Sequence, residues 1–153
     1  KEKIMKIKGL TIGPYCLISE NLRAENSTIG PYCEIKKNVT LSSNVVLQGR
    51  NRIAQNCVID DNVIIKYGTI LTDYVHIKEN TFIGPNVIIF GDDASRSGAR
   101  TTTIGSNCFI GGGAKINAGI NIGDNIIIGA SSFVNKDCLE EGTYVGSPIK
   151  KIK

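Results

Sequence analysis

Large aliphatic residues recur at every sixth position along most of the chain. Ile12 and Ile18 open the series. Ile29, Ile35, Leu41, Leu47, Ile53, Ile59, Ile65, Leu71, Ile77, Ile83 and Ile89 continue it without a slip. Ile104, Ile110, Ile116, Ile122, Ile128 and Val134 close it. A helix of 3.6 residues per turn cannot keep a six-residue period on one face, and a plain strand of period two does not persist for so long. A hexad repeat is one short strand plus one corner of a parallel β-helix. With about 18 residues per coil, the nineteen hexads predict a little over six coils. The chain reads as a single all-β domain spanning residues 1–153.

The position four after each aliphatic residue is a second inward column. It holds mostly small or β-branched residues such as Val39, Val45, Val63, Thr69, Val75 and Ala114, with Asn51 among them. Such residues suit a narrow packed interior. Cys16, Cys33, Cys57, Cys108 and Cys138 are all five cysteines, and all lie in this column. No two form a CxxC pair, so they read as buried, inert thiols with no zinc or redox role. The position three after each aliphatic residue is a corner rich in Asn (Asn21, Asn38, Asn44, Asn56, Asn62, Asn80, Asn86, Asn107, Asn125) and Gly (Gly68, Gly113, Gly119). These are the residues that most easily take positive φ, so most of them are architecture.

Composition narrows the partners. Net charge is a mild +4, and no basic run with interleaved aromatics suggests nucleic acid. The start, KEKIMKIKGL, alternates charge with aliphatics, so neither a signal core nor a membrane span is expected. Reduced cysteines without an export signal point to the cytoplasm. The chain begins at Lys1 rather than Met, which leaves room for an upstream segment.

The repeat breaks twice. Ile18 to Ile29 is eleven residues, one short of two hexads, so the coil from Glu20 to Ser27 is expected to be irregular. Ile89 to Ile104 is fifteen residues, and the polar segment 90–103 (FGDDASRSGARTTT) differs from everything around it. Insertions in a solenoid are extruded as loops on one face, often the binding face.

Three stretches carry a family resemblance: IGPNVIIF (Ile83–Phe90) before the loop, IGSNCFIGGGAKINAGINIGDNIIIGASSFVNKD (Ile104–Asp137) after it, and VGSPIKKI (Val145–Ile152). Together with the loop they resemble the hexapeptide-repeat, left-handed β-helix acyltransferases, both sugar O-acetyltransferases and nucleotide-amino-sugar N-acetyltransferases. The resemblance implies acetyl-CoA as co-substrate, no metal, and a homotrimer with each site between neighbouring prisms. It implies that Gly112, Gly113, Ala130 and Ser131 line the CoA groove. Lys136, Ser147, Lys150 and Lys151 then fall where the family meets phosphates or adenine. Small residues let a ligand approach the backbone, and ammonium groups pair with phosphate.

The catalytic group departs from the family pattern. Maltose- and galactoside-type enzymes carry a histidine in the loop; this loop has none, and His76 is the only histidine in the chain. It precedes the inward Ile77, so its side chain should point outward. Related acyltransferases of lipid A synthesis carry a second, catalytic histidine three residues later, where this chain has Glu79. His76 is thus a candidate base, with Glu79 a possible orienting or alternate carboxylate. The amino-sugar enzymes often carry an Asn-Asp pair leading into the loop. Asp92-Asp93 stands there in this chain and could hold an ammonium.

The reading is an acetyl-CoA-dependent acetyltransferase acting on a sugar, with the amino group of a nucleotide-linked amino sugar in surface polysaccharide synthesis as the acceptor. The alternatives are a sugar O-acetyltransferase using His76 as general base, and a non-catalytic β-helix assembly module. A γ-type carbonic anhydrase on this fold needs three histidines on zinc, and the single histidine excludes it.

Overall fold

Each hexad folds as its pattern dictates. Two residues form a strand, the first facing outward and the second inward, as in Ile64–Ile65, where Ile65 is fully buried. The four residues that follow turn a corner, and one of them takes positive φ. The structure is a computed structural model that describes residues 6–91 and 100–153. Asp92 and Asp93 lie outside the described residues.

The strands stack into three sheets that form the faces of a prism, a left-handed β-helix type fold of about seven turns. The first face runs from Lys6–Lys8 through Val58–Ile59, Val75–Ile77 and Thr102–Ile104 to Asn121–Ile122. The second includes Thr11–Ile12, Ile64–Ile65, Phe82–Ile83, Phe109–Ile110 and Ile126–Ile128. The third includes Leu17–Ile18, Glu34–Ile35, Ile70–Leu71, Ile88–Ile89, Lys115–Ile116 and Phe133–Val134. Pairing is parallel and in register from coil to coil, so Leu41, Ile59 and Ile77 lie one above another. Every aliphatic of the series from Ile29 to Val134 is buried. Each removes roughly 1.5–3 kcal/mol of apolar surface energy from water.

The coil count exceeds the expectation, because the first face already holds seven strands. The extra turn is carried by Ile7 and Ala24, which share a register with Leu41. Alanine is too small to stand out in an aliphatic series. The irregular coil is as expected: a register shift between Ala24 and Glu25 absorbs the missing residue. Ser27 fills an inward place there, its hydroxyl donating to the Glu25 carbonyl at 2.8 Å and accepting the Val45 N–H at 3.0 Å.

At the far end Gly142–Val145 joins the second face, with Tyr144 in register with Ile128. Lys150–Lys151 then folds back antiparallel, and Ile149 is buried across the end of the core. The cysteines are inward as expected: Cys33, Cys57, Cys108 and Cys138 are buried and Cys16 is half-buried. Burial pushes the Cys57 thiol up to about 12. The corner conformation extends beyond Asn and Gly: Tyr15, Tyr32, Arg50, Tyr74 and Ser131 also take positive φ.

Candidate active site

Three edges join the faces, and each carries different chemistry. The loop leaves the edge between the third and first faces, after Ile88–Ile89, and rejoins at Thr102–Ile104. Both ends are tied down. The Gly91 N–H donates to Thr72 Oγ1 at 2.7 Å. Thr102 donates its hydroxyl to the Phe90 carbonyl and accepts the Gly119 N–H at 2.9 Å. Below the loop, towards the N-terminus, a groove of about 880 Å³ runs along the same edge, lined by Lys36, Lys37, Arg52, Gln55, Thr72 and Asp73 among others.

His76 faces outward on the first face, as expected, and is half-buried between Val58 of the coil below and Thr103 of the coil above. Thr103 belongs to the strand in which the loop rejoins, so the loop returns beside His76. The imidazole Nε2 lies 2.8 Å from Asp60 Oδ2. Asp60 sits at the corner just after the strand Val58–Ile59, and its N–H bonds the Ile77 carbonyl at 2.9 Å. Glu79, which stands where the family pattern has a catalytic histidine, is exposed at the next corner along, and the carboxylate that accepts the hydrogen bond of His76 is Asp60. Asp60 escaped the sequence reading. The 18-residue coil spacing could have found it, because Val58 stacks under His76 and the corner follows two residues later.

The edge between the second and third faces is built of small residues in the coils around the loop. A Cβ on Gly111 would meet Ala130 N at 2.4 Å, so only glycine permits this stacking of coils. The Ser131 N–H donates to the Gly112 carbonyl at 2.9 Å and the Gly113 N–H to the Pro85 carbonyl at 2.9 Å. The N–H groups of Gly112 and Ala130 have no partner among the described residues. Gly112, Gly113, Ala130 and Ser131 are therefore brought together as one strip.

His76 is not brought to that strip. In a triangular section the first face lies opposite the edge between the second and third, so one chain holds the two on opposite sides. Lys136 is exposed at the third–first edge. Ser147 is exposed between the second-face strand Gly142–Val145 and the antiparallel return Lys150–Lys151. Lys150 and Lys151 form the antiparallel return, and Lys151 Nζ pairs with Glu140 at 3.0 Å. Among the described residues no helix is long and apolar enough to cross a membrane.

Residues 101–136 match the family model described as the hexapeptide repeat of succinyl-transferase. Over 55 residues the chain is 46% identical to a putative acetyltransferase of Saccharomyces cerevisiae, covering 36% of this chain and 28% of that protein. It is 38% identical over 65 residues to the serine acetyltransferase of Synechococcus elongatus (42% of this chain, 27% of that protein). It is 45% identical over 51 residues to the galactoside O-acetyltransferase of Escherichia coli (33% and 25%). The matches thus span about a quarter of the length of these curated relatives. Among solved structures, PerB from Caulobacter crescentus, in complex with CoA and GDP-perosamine, aligns with TM-score 0.71 at 22% identity, covering 90% of this chain and 58% of that one. AntD, an N-acyltransferase from Bacillus cereus in complex with dTDP-4-amino-4,6-dideoxyglucose and CoA, aligns with TM-score 0.70 at 19% identity, covering 94% and 82%.

Proposed function

We propose that the chain is an acetyl-CoA-dependent acetyltransferase acting on a sugar, with the amino group of a nucleotide-linked amino sugar as acceptor. The observation that carries the reading is the small-residue strip at Gly112, Gly113, Ala130 and Ser131. It lies within residues 101–136, which match the hexapeptide-repeat family model, and it presents two backbone N–H donors that have no partner among the described residues. Such donors suit the amides of a pantetheine arm. Gly112 N–H is the simplest candidate to stabilise the oxyanion that forms when the thioester is attacked. Ser147, Lys150 and Lys151 then serve the phosphates and adenine, whereas Lys136, at the third–first edge, would reach them only from a neighbouring subunit.

Because His76 and the strip lie on opposite sides of one prism, a complete site requires a second copy, and the reading includes a homotrimer. In that assembly the strip of one subunit meets the loop and His76 of its neighbour. Asp92 or Asp93 would hold the acceptor ammonium; after it loses one proton to solvent, the free amine attacks the thioester carbonyl, His76 takes the second proton, and CoA leaves as its thiolate. The groove with Lys37 and Arg52 suits the diphosphate of a nucleotide carrier. The nucleotide amino sugars bound by PerB and AntD support this acceptor class.

A second reading, O-acetylation, is favoured by the hydrogen bond between His76 and Asp60, since a hydroxyl needs a stronger base than an amine does. The test is CoA release from acetyl-CoA with GDP-perosamine or dTDP-4-amino-4,6-dideoxyglucose, set against a galactoside. Turnover with an amino sugar, and losses on Asp92→Asn or Asp93→Asn that shrink as pH rises, are expected. Turnover with the galactoside alone would replace the first reading by the second.

A further inference from the structure

We propose that Asp60 fixes the tautomer of His76, so that Nδ1, and not Nε2, is the nitrogen that accepts the proton. The inference rests on the reading that His76 is the base. Nothing in the family pattern pointed to Asp60; the carboxylate expected beside the histidine was Glu79, which is exposed.

A carboxylate only accepts hydrogen bonds, so the 2.8 Å contact between Asp60 Oδ2 and His76 Nε2 requires the hydrogen on Nε2. A neutral imidazole carries one N–H, so its lone pair is then on Nδ1. No described residue hydrogen-bonds Nδ1. Asp60 is held in turn by its backbone, whose N–H is tied to the Ile77 carbonyl within the strand that carries His76. Carboxylate and imidazole therefore sit on adjacent coils whose register is locked by the core residues Ile59 and Ile77. Asp60 acts through His76 and is a positioning residue. When Nδ1 takes the acceptor proton, the imidazolium that forms is stabilised by the Asp60 carboxylate already in contact with Nε2.

His76 is the only histidine, so its ring gives one isolated set of nitrogen signals. Long-range proton–nitrogen NMR on uniformly nitrogen-15-labelled protein, above the pH at which the ring titrates, reads the tautomer directly. The expected result is a pyrrole-type Nε2 and a pyridine-type Nδ1. In Asp60→Asn the side-chain amide can offer an N–H to Nε2, which moves the hydrogen to Nδ1. The same variant should lower kcat for acetyl transfer to a nucleotide amino sugar by roughly two to four powers of ten. The KM for acetyl-CoA should hold. An Nδ1–H ring in the unaltered protein, or a tautomer unmoved by Asp60→Asn, overturns the proposal even if the enzyme is active. A shifted tautomer with unchanged kcat overturns the role assigned to Asp60. Absence of any acetyl transfer by the unaltered protein, with the tautomer as expected, removes instead the functional reading beneath it.

Discussion

Asn51 is an amide in the middle of an aliphatic interior. Its Nδ2 donates to the Lys66 carbonyl at 2.8 Å, and its Oδ1 accepts the Gly49 N–H at 3.0 Å. Those bonds hold the corner between the second and third faces, where Gly49 takes a φ of 148°. Asn51→Val keeps roughly the shape of the column but leaves a buried donor and a buried acceptor unpaired. The expected loss is about 2–4 kcal/mol, read from urea unfolding. A loss under about 0.5 kcal/mol would mean that water replaces both bonds. The inward position of Asn51 was legible from its place in the repeat; its partners were not, because they depend on how corners of successive coils overlap. Asp60 escaped for the same reason. Its partner is near in the next coil but sixteen residues away in sequence.

At the level of the element, the corner sets the shape. Asn44, Asn62 and Asn80 stack along one edge, with Nδ2-to-Oδ1 bonds of 3.3 and 3.1 Å. Asn62 takes a φ of 59°, which costs an ordinary residue about 1–2 kcal/mol. Asn62→Ala should therefore destabilise by about 1–2 kcal/mol, and Asn62→Gly by less, since glycine relieves the strain and loses only the exposed ladder bonds. Thermal melts of the two variants separate strain from side-chain bonding; equal losses would assign the effect to the ladder. The hexad itself was plain in the sequence because nearly every inward aliphatic is large. Ala24 was hidden by its size, which cost the expected series one hexad, a third of a coil. Tyr15, Tyr32 and Tyr74 were hidden at their corners because tyrosine rarely adopts that conformation. The loop announced itself as a break in period, but a break carries no information about the fold of what interrupts it.

At the scale of the molecule, one face asks for a partner. Val46, Ile64, Phe82, Phe109 and Ile127 form an outward row on the second face. Ile64, Phe109 and Ile127 are 39%, 47% and 47% exposed. Phe82 and Phe109 stack with centroids 5.0 Å apart. A straight apolar row with the coil spacing of a β-solenoid is matched best by another copy of the same solenoid. Sedimentation should find a trimer, and Phe109→Glu should shift it towards monomer with the fold retained. A monomeric unaltered protein at micromolar concentration would remove the subunit-spanning site from the functional reading. The register of the coils has a separate implication for size. Cross-section is set by the hexad, whereas height is set by the number of coils. Adding or deleting one whole 18-residue coil among the regular turns below Val58 would shift the lower end by about 4.8 Å. Neither change would alter what surrounds His76. The prism is in that sense a ruler graduated in coils: such a change leaves His76 in place and alters only how far from it the groove with Lys37 and Arg52 extends.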